Sequence, residues 1–142
     1  MLAISASALS AERQRSEVIA ANMANAETTR TDTGGPYQRK EVVFKSAENA
    51  SFHMALAGSG GVGRQAGTVR VAAVVNDPTP PIMRYEPGHP DADANGFVAY
   101  PAINPVQEMV DLMGSTRAYQ LNASAVAAAK QMIQQSIDIL KS

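Results

Sequence analysis

The chain has no cysteine and no tryptophan among its 142 residues. The first absence excludes disulfides, thiolate metal sites and thiol nucleophiles together. The second, with aromatic residues at only 5%, leaves few large side chains to fill a core, and alanine takes much of their place. No charge excess exists either: 12 Lys and Arg stand against 13 Asp and Glu, and the basic residues are scattered. That removes the electrostatic footprint of a nucleic-acid binder. No apolar run approaches the ~20 residues that a membrane-spanning helix needs. The start, Met1-Leu2-Ala3-Ile4-Ser5-Ala6, carries no basic n-region, and Glu12, Arg13 and Arg15 arrive before a long apolar region develops. The expectation is a protein that stays in the cytosol or leaves by a route that reads no cleavable signal.

Groups for chemistry are equally sparse. His53 and His89 are the only histidines, each without a second ligand nearby. No Ser sits in a G-x-S-x-G elbow, and no carboxylate pair stands out for acid–base work. Gly58-Ser59-Gly60-Gly61-Val62-Gly63 matches G-x-G-x-x-G literally, but Arg64-Gln65-Ala66-Gly67 lead into a strand, not into a phosphate-holding helix N-terminus. It reads as a loop. Asp91-Ala92-Asp93-Ala94-Asn95-Gly96 copies the first half of an EF-hand loop, yet Ala102 stands at the twelfth position, where calcium needs a bidentate Glu. Pro87 and Pro90 also exclude a regular entering helix, so this reads as an acidic turn. No catalytic residue, metal site or cofactor is expected.

What the chain does have is an apolar stripe near its end. Met109, Leu112, Thr116, Tyr119, Ala123, Val126, Lys130, Ile133, Ile137 and Leu140 alternate in steps of three and four. That is the a/d seam of a coiled coil over about four heptads, and such a seam is made to be covered by another helix. Asn104 is a suitable N-cap, with Pro105 at N1, Gln107 three residues after the cap, and Glu108 and Asp111 near the positive end of the dipole. Continuous to Leu140, this helix would be about 54 Å long. A compact chain of this length has a radius of gyration of about 14 Å, so the subunit is elongated. Gly114 is the one weak point. Lys130 has two readings, a stem snorkelling to the rim or a register-setting contact to a neighbour. Met109, Met113 and Met132 suit either a core or an adaptable interface.

Residues 1 to about 29 read as a second, slimmer helix, with Leu2, Leu9, Ser16 and Met23 seven apart and Ile19 and Ala26 at alternate positions. Gly34-Gly35-Pro36 ends any continuation. Strands are expected over Tyr37 to Lys45, Thr68 to Val75, Ile82 to Tyr85 and Phe97 to Tyr100, with a mobile glycine-rich loop over 46–68. The fold class is α+β, mainly helical: long N- and C-terminal helices form a coiled-coil pair around a small β-rich insert. Residues 1–30 and 104–142 make a discontinuous helical domain, and 31–103 the insert.

Asn22-Met23-Ala24-Asn25-Ala26, then Thr28 and Thr29, then Pro36-Tyr37-Gln38-Arg39 resembles the N-terminal signature of the flagellar axial rod and hook proteins. The stretch Tyr85 to Ala92 followed by Gly96-Phe97-Val98 is similar to rod members of that family, as are Asn104 to Met113 and Arg117-Ala118-Tyr119-Gln120. The resemblance implies a structural subunit of the bacterial flagellar basal body. Such subunits stack helically, with copies of themselves and other rod subunits, into a rod that crosses the periplasm and transmits torque. It also implies contact with basal-body ring and export-gate components and export, unfolded, by the flagellar type III apparatus. The expected assembly interface is Leu2, Leu9, Ile19 and Met23 on the first helix and Met109, Leu112, Tyr119, Val126, Ile133, Ile137 and Leu140 on the second. Asn22 and Asn25 are expected to cap the first helix and to form a joint that sets subunit tilt, with Tyr37 and Arg39 anchoring the insert there. The alternative is another secreted helical-bundle protein, an adaptor or chaperone-like coiled coil.

Overall fold

A computed structural model describes residues 2–46 and 67–141. The glycine-rich motif, His53 and most of the loop expected over 46–68 lie outside the described residues. Helix α1 spans Leu2–Ala24, and helix α2 spans Pro105–Lys141. Between them run strands β1 (Lys40–Ser46), β2 (Val69–Asn76), β3 (Ile82–Tyr85) and β4 (Phe97–Tyr100).

Each helix boundary has a local cause. The Asn104 carboxamide oxygen accepts from the Val106 amide at 3.0 Å, and Glu108 N–H closes the first turn on the Asn104 carbonyl at 3.1 Å. The N-cap therefore acts as its type and place predict. At the other junction α1 stops at Ala24, short of the expected end near residue 29. Asn25 turns the chain there. Its side-chain amide donates to the Ala21 carbonyl at 2.8 Å, and its carbonyl oxygens accept the Thr28 hydroxyl and amide, both at 3.1 Å. Asn and Thr side chains offer the backbone a turn in place of further helix.

The insert is two separate antiparallel hairpins, β1–β2 and β3–β4. A bulge between Val43 and Phe44 shifts the first register. Strand β1 begins at Lys40, three residues later than Tyr37, because the Tyr37 amide donates to the Thr28 carbonyl at 3.0 Å and so ties this stretch to the end of α1. Strands β3 and β4 have the expected bounds. The first hairpin lies along α1: Val69 N–H donates to Ser7 Oγ at 3.1 Å, and a Cβ added at Gly67 would meet Ile4 Cδ1 at 3.5 Å.

The helices run antiparallel. Asn22 meets Glu108, while Ser16 and Glu12 meet Ser115, so position rises along α1 as it falls along α2. Helix α1 has 23 residues and α2 has 37, about 35 and 55 Å at 1.5 Å each. Continuing the pairing sets Leu2 level with about residue 128, so that roughly the last dozen residues of α2 project past their partner. Every side chain from Lys130 to Lys141 is exposed. Buried apolar residues are few among those described: Ala11, Ile19, Val98 and Ile103.

The turn between β3 and β4 depends on Gly96, at φ +82°, where an added Cβ would lie 2.9 Å from the Tyr85 ring and 3.2 Å from Pro87 Cβ. Gly96→Ala is therefore both strained and crowded, and is expected to lower the unfolding free energy by roughly 1–3 kcal/mol. Urea unfolding of the variant checks this; an unchanged midpoint would refute it.

Candidate functional site

Where α1 ends, β1 begins and α2 starts, four side chains interlock. Asn22, 1% exposed, uses its whole carboxamide. Its Nδ2 donates to the Lys40 carbonyl at 2.9 Å and to Glu108 Oε2 at 3.2 Å. Its Oδ1 accepts from Lys40 N–H at 2.9 Å and from the Tyr37 hydroxyl at 3.2 Å. Glu108, also 1% exposed, receives Arg39 Nε on its other oxygen at 2.6 Å. A carboxylate this deeply buried is tolerable only because it is paired and hydrogen-bonded on both oxygens.

Arg39 is the only cation in contact with this carboxylate among the described residues, and it reaches three further acids. Its Nη1 pairs with Glu41 and lies 3.5 Å from Asp77, and its Nη2 lies 4.0 Å from Asp111. Burial alone would favour loss of its proton, but the hydrogen bonds and charges of Glu108 and Glu41 outweigh that and hold the proton more tightly than usual. Burial, followed by the charge of Glu108, pushes the Tyr37 phenol above its ordinary value. The Thr79 hydroxyl at 2.6 Å and amide at 2.9 Å, with a smaller part from Arg39, pull the Asp77 carboxyl down.

The structure thus brings Asn22, Tyr37 and Arg39 together and leaves Asn25 as a local cap about one turn away. It adds Glu108, which the sequence presents only as an acid near a helix start. A second level lies seven residues further along α2. Ser115 Oγ, fully buried, is 2.9 Å from Ser16 Oγ and donates within reach of the Glu12 carbonyl at 3.1 Å and Glu12 Oε2 at 2.8 Å. The pairing face of α2 is therefore centred one residue away from the apolar stripe, on Glu108 and Ser115. The heptad spacing of these two polar residues was the available signal.

Much of the stripe is left uncovered, its last part because α2 runs on past the end of α1. Met109, Tyr119, Ile133 and Ile137 are exposed, and Leu140 is 86% exposed. Leu112 and Val126 are half-buried at the edge of the helix pair. On α1, Ile19 is buried, Leu9 and Met23 are half-buried, and Leu2 is exposed. Val106, Val110, Met113, Leu121, Met132 and Ile139 extend the exposed apolar surface of α2. Val106, Met109, Val110 and Met113 stand at i, i+3, i+4 and i+7 and so share one face, and apolar surface gathered in this way is what a contact site presents.

The acidic turn is occupied by its own chain. Asp91 accepts the Thr29 hydroxyl at 2.8 Å and lies 3.6 Å from Arg30. Asp93 Oδ1 accepts the amides of Asn95 at 2.8 Å and Phe97 at 2.9 Å. His89 Nδ1 accepts the Asp91 amide at 3.1 Å. No group of three or more His, Asp or Glu is placed to hold a metal among the described residues, and no described helix is long and apolar enough to cross a membrane.

Two family models match the chain: a flagella basal body rod protein model over residues 2–30, and a flagellar basal body rod FlgEFG protein C-terminal model over residues 94–139. Among curated relatives, the flagellar basal-body rod protein FlgC of Bacillus subtilis is 38% identical over 99% of this chain and 96% of its own length. FlgC of Borreliella burgdorferi is 34% identical over 97% and 94%. FlgC of Salmonella typhimurium is 36% identical over 96% and 92%.

The joint generates an asymmetric expectation. Arg39→Ala strands the buried Glu108 carboxylate and should destabilise the chain by on the order of 3 kcal/mol. Glu108→Ala leaves Arg39 with Glu41, Asp77 and Asp111, so its loss should be smaller. Arg39→Lys should recover only part, since an ammonium cannot present the guanidinium fork. Urea midpoints of the three variants decide; a larger loss for Glu108→Ala than for Arg39→Ala would contradict the assignment.

Proposed function

The chain belongs to the family of the flagellar basal-body rod protein FlgC, and on that premise we propose that it builds the rod through its terminal helices. It is a structural subunit of the flagellar basal-body rod. Copies would pack laterally through Leu2, Leu9 and Met23 of α1 and Met109, Leu112, Tyr119, Val126, Ile133, Ile137 and Leu140 of α2, while Ile19, expected among them, is already buried within the chain and supports that face from inside. Residues 1–30 and 104–142 would form the packing core, and 31–103 the part carried on it. Asn22, Asn25, Tyr37 and Arg39 would fix the angle between the two.

One observation carries this reading: the chain spends polar groups on its own helix pairing and leaves most of the large apolar side chains of α2 uncovered. A folded protein does not gain from such a surface alone. Burying a large apolar side chain yields about 1.5–3 kcal/mol, so several per neighbour stabilise a lattice strongly. Head-to-tail contacts whose rotation does not close generate a helical tube. Export through the flagellar type III apparatus, contact with ring and export-gate components, a rod reaching across the periplasm and the lack of any catalytic role belong to the same proposal. The last is supported by the joint, where the charged groups are engaged with one another.

Aspartate at Ile133, Ile137 and Leu140 together should cost the folded chain no more than about 1.5 kcal/mol, about 0.5 for each exposed position, with the loss confined to the projecting end of α2. The same variant should be missing from isolated basal bodies, as should chains lacking residues 1–10 or 133–142. Normal incorporation of the triple variant would sink the proposal, and would assign the lateral contacts to another surface of the subunit.

A further inference from the structure

The α1–α2 contact contains an oddity that lateral assembly does not explain. Three of the largest fully buried side chains are polar, Glu108, Asn22 and Ser115, and all three lie between or at the ends of the helices. They form two rungs. The first is Asn22 against Glu108 at 3.2 Å. The second is Ser16 against Ser115 at 2.9 Å, with Glu12 alongside. On α2 the rungs stand one heptad apart, about 10.5 Å along the axis.

Apolar contacts discriminate poorly between registers here. Helix α1 carries Ala3, Ala6, Ala8, Ala11, Ala20, Ala21 and Ala24, and small side chains make shallow knobs. Sliding by one heptad in one direction brings Leu9 to Ser115 and Ser16 to Glu108. Sliding in the other brings Ser16 to Asn122 and Asn22 to Ser115. Neither slip disturbs the heptad pattern of small and apolar residues much. Both remove Glu108 from Asn22, and both part Ser115 from Ser16. Buried polar groups at single seam positions are the best attested way to fix register.

We infer that Asn22, Glu108, Ser16 and Ser115 form a two-rung polar ladder whose task is to set the register of the helix pair, as positioning residues distinct from the apolar stripe. The competing source of register is the insert, since Asn22 is also tied to the Lys40 backbone.

The absence of native cysteine makes the test direct. Three full-length chains carry reporter pairs: Ser16→Cys with Ser115→Cys for the observed register, and Leu9→Cys with Ser115→Cys or Ser16→Cys with Asn122→Cys for the two slips. Each is equilibrated in a glutathione redox buffer, and the intramolecular disulfide yields give the register populations. The reporters themselves weaken the Ser16–Ser115 rung, so Asn22 and Glu108 alone should hold the observed register ahead of each slip by about tenfold or more. Adding Asn22→Leu and Glu108→Leu should bring the slipped yields to within about threefold, with circular dichroism showing helix retained. Asn22→Ala, which leaves Glu108 paired with Arg39, should move the ratio in the same direction by less, and serves if the leucine variant loses helix. A merely stabilising role would lower helix content without changing the ratio. An unchanged ratio in either helical variant overturns the inference and assigns register to the insert.

Discussion

The contact on which the rest of this molecule depends is a single carboxylate taken out of water. Glu108 lies at the start of the long helix, yet its partners come from the end of the short helix and the entry to the first strand. Its two oxygens bind Asn22 and Arg39, residues 86 and 69 positions away. Desolvation makes such a group intolerant of partial solutions. Either all three elements meet with these bonds formed, or the charge is left stranded. Two helices and a small β insert, with little apolar core, acquire in this way a defined mutual arrangement.

The long helix then divides its circumference between two purposes. Facing α1 it offers Glu108 and Ser115, hydrogen-bonding groups of limited bulk. Facing away it offers Val106, Met109, Val110 and Met113, and past the end of α1 it leaves Ile133 and Ile137 bare. An ordinary globular helix does the opposite, hiding its bulk and showing its polar groups. The inversion is coherent for a subunit whose interior is completed by copies around it, and it fits the rod family to which the chain belongs.

Much of this plan is legible in the sequence. Asn104-Pro105 announces the long helix because a cap side chain acts on its nearest amides, and Ile82 to Tyr85 and Phe97 to Tyr100 stand out between proline and glycine turns. The helix end near residue 24 was less legible, because Asn25 and Thr28 act through a pair of side-chain bonds that propensity alone does not weigh. The role of Glu108 was least legible. An acid in a first helical turn is ordinary, and nothing local distinguishes a solvated one from one that a distant Arg and Asn will enclose. The pairing face lies one residue from the stripe that apolar periodicity locates, because the contact with α1 is made through the polar side chains of Glu108 and Ser115.

The unequal lengths of the two helices carry one more consequence. Helix α2 runs on past α1 at one end only, and at the other end sits the charged joint with its hairpins. The subunit therefore has a head and a tail with different chemistry. Any column built from it inherits an arrow, with one tip presenting bare helix and the other presenting the joint. Such a column has two unlike ends, so addition at one need not resemble addition at the other, and a growing structure can know which way is out.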